Sequence, residues 1–181
     1  MGRRLAAAVL AVTVLVSGCT AQPETPAPAF NATDVMFLQM ALTQIDEGAP
    51  VAELAGQRAT DPRLRTLATE LLTQWREESG PMQRWLVGWQ QPREANPSAG
   101  AHAGHGDLHS LRESDVGELK AATGTTFDRT AVSLLLGHLG NCVETARMGA
   151  TGGAYPPART MGETVTQRRQ AQIQTLLRMA A

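Results

Sequence analysis

Apolar residues recur three and four positions apart along most of the chain, beginning with Val35, Leu38, Leu42, Ile45, Ala49 and Ala52. Such spacing lays one stripe on an α-helix and predicts a bundle helix starting near Asn31 or Thr33, either of which can cap it. Asp34 then falls in the first turn, where its charge favours the helix dipole. Pro50 lacks an N–H and crowds the carbonyl four residues back, which predicts a kink near Asp46 or Glu47. A second helix opens at Asp61-Pro62, an N-cap followed by proline at the first helical position, and carries Leu64, Leu67, Leu71, Gln74, Glu78 and Trp85 on its stripe. Gly80-Pro81 predicts a bend, and Gly88 with Gln91-Pro92 an end. All three tryptophans, Trp75, Trp85 and Trp89, fall in this helix and read as filling one end of a core.

From Pro92 to Glu113 the composition shifts to Gly, Ala, Ser, Pro and His, a connecting loop. A short helix is expected from about Asp115 to Ala122, capped by Ser114. A long one follows from about Thr126 to Met148, with Val132, Leu136, Leu139, Val143 and Ala146 on one face and Gly149, Gly152 and Gly153 ending it. The last helix is expected over 157–179, with Ala158, Met161, Val165, Gln172 and Met179 inward and Arg168 on the same stripe. No segment alternates in the manner of a half-buried strand, so the chain reads as all-α.

The segment from Phe37 to Trp85 aligns without a gap with Ala131 to Met179, ninety-four positions later, pairing Leu42 with Leu136, Ala52 with Ala146, Pro62 with Pro156, Arg65 with Arg159 and Thr66 with Thr160. One helical hairpin is therefore used twice, in repeats 31–91 and 114–181. Two hairpins with apolar stripes pack most simply as a four-helix bundle. In that packing the seam heteroatoms Gln74, Glu78, His138, Arg168 and Gln172 are expected to face one another away from water.

The first residues change the picture of where this bundle resides. Arg3 and Arg4 precede an apolar run from Leu5 to Val16 that ends in Val16-Ser17-Gly18-Cys19. The run is shorter than the ~20 residues of a membrane-spanning helix, so residues 1–18 read as an export signal. The small-small-Cys ending is similar to a bacterial lipobox, which implies a diacylglycerol on Cys19 and residence at the outer face of the cytoplasmic membrane. The alternative is an ordinary secretory signal with an incidental cysteine. Residues 19–30, Pro-rich and aperiodic, read as a tether. The mature chain of 163 residues has 14 basic and 17 acidic side chains, and no basic stripe that would suggest nucleic acid. With Cys19 acylated, Cys142 is the only thiol left, so no internal disulfide can form.

Candidate chemistry is sparse. His138 and Cys142 lie four apart and share a helix face, a soft pair suited to Cu(I) or Zn(II), with Met40, Glu78 or Met82 of the first hairpin available to complete a site. The plainer reading is an inert buried cysteine beside a hydrogen-bonded histidine, with Met40, Met82 and Met161 as core filler. His102, His105 and His109 in the loop are either a weak site for Cu(II), Ni(II) or Zn(II) or a polar linker. There is no Glu-x-x-His, G-x-S-x-G, phosphate loop or Cys-x-x-Cys, so an enzyme is not expected.

This layout resembles the domain-of-unknown-function 305 family, a ferritin-like bacterial group with copper-binding CopM-type members. The resemblance covers most of residues 30–180. Its members carry Met-Ile-x-His-His in the first helix of each pair and Gln-x-x-Glu-Ile-x-x-Met in the second. Here Leu42, Glu78, Met82, His138 and Ile173 stand at or near those motifs, while Gln44 and Ile45 replace one His pair, Leu139 a further His, Trp75 and Arg169 the Gln, Gln172 a Glu and Leu176 a Met. The resemblance implies copper as the metal, at a depleted site. Arg168 on the inner stripe is expected to pair with Glu78 or Glu144 where relatives would hold a cation. The function expected is a lipid-anchored envelope protein with weak or vestigial copper binding, or alternatively a metal-free structural or partner-binding lipoprotein.

Overall fold

The computed structural model describes residues 29–94 and 111–180, and these form helices without strands: α1 (Ala32–Arg58), α2 (Pro62–Gly88), α3 (Glu113–Ala121), α4 (Gly124–Gly152) and α5 (Pro156–Ala180). Residues 1–28, including the proposed signal and Cys19, lie outside the described residues, as do His102, His105, His109 and Ala181.

The starts of the helices follow local chemistry. Asn31 caps α1 through a reciprocal box, accepting from the Asp34 amide at 2.9 Å while its own amide donates to the Asp34 carboxylate at 2.9 Å. Asp61 caps α2 by accepting from the Arg63 amide at 2.8 Å, with Pro62 at the first helical position. The short helix begins at Glu113 rather than Asp115, because the Asp115 carboxylate accepts from the Arg112 amide at 2.8 Å and so moves the start ahead of Ser114.

The helices stay continuous across both prolines that the sequence marks for a kink or a bend. Helix α1 runs unbroken through Pro50, and α2 through Pro81. The buried residues Val51, Ala52 and Ala55 on one helix and Met82 and Leu86 on the other carry the packing past each proline. Of the three glycines expected to end α4, Gly153 is its C-cap and only Gly149 acts differently. Gly152 is the last residue of the helix, whereas Gly149 lies inside it, and a Cβ on Gly149 would come within 2.4 Å of the Phe37 ring. Gly149 is a spacer that lets α1 approach α4, not a stop signal.

Helix α4 packs most extensively against α5, and α1 packs broadly on both α2 and α4, whereas α2 and α5 meet over a narrow strip. Two apolar cores result: one around Leu64, Leu71, Trp75, Phe127, Leu135 and Leu139, the other around Phe37, Leu38, Leu42, Met82, Leu86 and Ala146. Trp75 belongs to the first, while Trp85 and Trp89 only flank the second at one end of the bundle.

The repeat is visible in the backbone. Helices α1 and α4 end, and α2 and α5 begin, at the same ninety-four-residue offset. Two aspartates at this offset make reciprocal clamps. Asp34 of the first repeat accepts from the Ala154 and Tyr155 amides at 2.8 and 3.0 Å, just ahead of α5. Asp128 of the second accepts from the Thr60 and Asp61 amides at 2.8 and 2.9 Å, just ahead of α2. Each repeat thus satisfies the orphan amides of the other repeat's turn. Asp34 lies in the first turn of α1, as expected, and is fully buried there.

Candidate functional site in the bundle interior

Between the two apolar cores lies a layer of polar side chains drawn from all four long helices. Its centre is Arg169 on α5, only 1% exposed. Nη1 of Arg169 donates to Gln74 Oε1 at 2.6 Å and to Gln172 Oε1 at 3.1 Å, and Nη2 donates to Glu78 Oε2 in a short charge-assisted bond. Gln172 also donates to Gln74 at 3.0 Å. The guanidinium carbon sits 5.8 Å from the centre of the Trp75 ring, within cation–π range.

Arg168 is not the buried partner that the sequence suggested. Its side chain is 43% exposed and approaches the second oxygen of Glu78 at 3.6 Å from the outside. The true inner stripe of α5 is Ala158, Gly162, Val165, Arg169, Gln172 and Leu176, so Arg169 points in and Arg168 lies one residue, about 100°, around the helix. The alternative partner, Glu144, is bridged on the surface by Arg147 at 3.3 Å. Burial pushes the Glu78 carboxyl above its ordinary range, against the opposing pull of Arg169 and Arg168.

On the α4 side of the layer, His138 Nε2 and Cys142 Sγ are 3.7 Å apart and both residues are buried. The His138 ring meets Trp75 edge-on with centroids 5.8 Å apart and bonds to the backbone of Gln44. A Cβ on Gly48 would lie 2.4 Å from His138 Nε2 and 2.7 Å from Trp75, so glycine is what leaves room for the imidazole. The Gln44 side chain is turned to Thr145 Oγ1 at 2.9 Å. Burial, helped by the charge of Arg169, lowers the His138 pKa to about 4, which keeps the ring neutral. Burial raises the Cys142 thiol to about 12; Arg169 opposes this, and Glu78 and Glu47 reinforce it.

The remaining predicted residues are placed as follows. Met82 is 1% exposed, within the second apolar core, and Met40 is 5% exposed. Among the described residues, no three His, Cys, Asp or Glu side chains converge as a metal-binding group. A cavity of about 650 Å³ lies at the far end of the bundle, lined by Thr60, Asp61, Asp128, Leu136 and Met179, and does not include the polar layer. No helix among the described residues is long and apolar enough to cross a membrane.

The polar layer occupies equivalent places in the two repeats: Gln44 with His138, Gly48 with Cys142, Trp75 with Arg169, and Glu78 with Gln172. The family model described as Domain of unknown function (DUF305) matches residues 34–180. The chain belongs to the DUF305 family. Among solved structures it is similar to a DUF305 fragment from Deinococcus radiodurans, with a TM-score of 0.70, 19% identity, and coverage of 83% of this chain and 96% of that one. A DUF305 protein from Streptomyces coelicolor gives 0.71 at 15% identity, over 80% and 89%. CopM in its Cu(II)-bound form gives 0.66 at 20% identity, over 81% and 95%. These likenesses show the fold, a DUF305 helical bundle. No curated protein matches the chain.

Proposed function

We propose that this chain is an exported envelope protein, anchored by lipid on Cys19, that binds copper weakly as Cu(I) through His138 and Cys142 and catalyses no reaction. CopM, which shares the fold, is known in Cu(I)-, Cu(II)- and silver-bound forms, and the Streptomyces coelicolor relative is classed as secreted. The observation that carries the metal reading is the buried 3.7 Å pair of His138 and Cys142, with the imidazole neutral and able to donate a lone pair. These donors fit Cu(I) and not Cu(II). Cu(I) replacing the thiol proton adds no net charge beside the buried Arg169, whereas Cu(II) adds one, in low dielectric and with too few ligands.

Binding must expel a proton from a thiol held near 12, so affinity is low at neutral pH and rises with pH. Titration of the purified protein with Cu(I) under reducing conditions tests this. The expected result is one site whose affinity increases from pH 6 to 8 and is lost in Cys142→Ala and in His138→Ala. Unchanged affinity in both variants removes the reading. Weak Cu(II) uptake by His102, His105 and His109 is an independent element, abolished when all three become Ala.

Arg169 favours a second reading, a metal-free structural or partner-binding lipoprotein, because a guanidinium already cross-links the layer. Metal content after native purification separates the two: stoichiometric copper supports the first and an empty protein the second.

A further inference from the structure

The two ends of the bundle differ sharply in charge. At the end where α1 and α5 begin and α2 and α4 finish, the segments 29–33, 85–92 and 148–158 contain no Asp, Glu, Lys or Arg. The opposite end carries Arg58, Asp61, Arg63, Lys120, Asp128 and Arg129.

The exposed surface of this end is aromatic, and Asp34, which also lies there, is fully buried against the 154–155 turn. Phe30 stacks on Trp89 at 4.4 Å, and Tyr155 meets Trp85 and Trp89 edge-on at 5.5 and 5.2 Å. Beside them Val87 is 75% exposed at the last turn of α2. Moving away from this end, the first charged residue on α2, on α4 and on α5 is an arginine (Arg84, Arg147 and Arg159), and on α1 it is the buried Asp34.

We propose that this end rests on the lipid bilayer, with Val87 and Trp89 in the interfacial region and the arginine ring at the level of the phosphates. Trp and Tyr favour that interface, where an apolar body meets a polar edge, and the cations above them suit anionic headgroups. The inference rests on the anchoring reading, and geometry ties the two together. Ala29 stands ten positions after Cys19, a reach of at most about 35 Å, and the chain enters the fold at Phe30, on this end. The other end lies a further ~40 Å along the 27 residues of α1. Of the two ends, the near one is the one a short tether lays on the membrane.

The test uses the full chain, exported and purified from a bacterial host, in vesicles of phosphatidylethanolamine and phosphatidylglycerol whose acyl chains are brominated. Trp85 and Trp89 emission is expected to be quenched, leaving the residual signal of the buried Trp75. Val87→Asp should abolish quenching, and Leu177→Asp, at an exposed apolar position on the opposite end, should leave it unchanged. The mass of the Cys19 peptide reports acylation separately. An acylated protein that shows no quenching overturns the proposal while anchoring stands. If Cys19 is unmodified, the same measurement after adding the protein to preformed vesicles decides, and absent quenching again overturns it. A dimer in detergent that Val87→Asp dissociates, without lipid quenching, assigns the face to a second copy instead and also overturns it.

Discussion

Replacing Arg169 by methionine keeps most of the aliphatic volume and removes the charge at the centre of the polar layer. Arg169 is 1% exposed, and its loss leaves the Glu78 carboxyl, also buried, facing Gln74 and Gln172 without its main donor. Breaking a buried pair by removing one partner costs about 3–5 kcal/mol, a large share of the roughly 5–15 kcal/mol that holds a domain together. The cost should fall at the low end, about 3 kcal/mol. Arg168 remains 3.6 Å from Glu78, and burial already favours the neutral acid, which relieves the uncompensated charge. Arg168→Met, at a half-exposed position, should cost less than about 1 kcal/mol. The double variant Arg169→Met/Glu78→Leu should recover most of the loss, since no charge then stays buried and Gln172 can still donate to Gln74. Urea unfolding followed by tryptophan fluorescence measures all three. A loss below about 1 kcal/mol for Arg169→Met, or equal losses for the two arginines, would refute the assignment of Arg169 as the interior cation.

His138 gives a pH signature. Its ring is held near 4 in the fold against an ordinary 6.5, so the unfolded chain takes up the proton first as pH falls; the stabilisation is complete above 6.5 and disappears toward 4, about 3 kcal/mol in all. The raised Glu78 carboxyl acts oppositely, its contribution declining as pH rises, but it cancels when wild type is compared with His138→Gln. Unfolding curves at pH 7 and 4.5 that shift equally in both proteins would contradict this. The Cys142 thiol should resist iodoacetamide at pH 8 in the folded protein and react once urea is added, read by mass; equal rates would show that it is not held protonated. Asp34→Ala should cost about 1–3 kcal/mol and more than Asp128→Ala, because Asp34 is fully buried with backbone donors from both repeats; thermal melts rank the two.

Features encoded locally could be read directly. Asn31 and the Asp61-Pro62 pair mark helix starts because the capping groups are neighbours in sequence, and the ninety-four-residue repeat predicts the bundle. Features that depend on the partner helix could not. Whether Arg168 or Arg169 enters the interior turns on a phase of one residue, and the stripe drawn through Met161 and Met179, both only half-buried, pointed to the wrong one. Gly149 looks like a terminator in isolation, and its meaning comes from Phe37 across the interface. The clamps were detectable in principle, since Asp34 and Asp128 stand at the repeat offset, but nothing local says that a first-turn aspartate serves a turn 67 or, for Asp34, 120 residues away.

The uneven contacts between helices give the fold the mechanics of a book. Helices α1 and α4 form the spine, α2 and α5 are the covers, and the covers touch along only a narrow strip. What holds them shut is a latch of one arginine, one glutamate and two glutamines, whose bonds water can replace without opening a void in oily packing. Opening along that fore-edge therefore disturbs little apolar packing, and it would bring solvent first to Arg169, the one buried cation among the described residues.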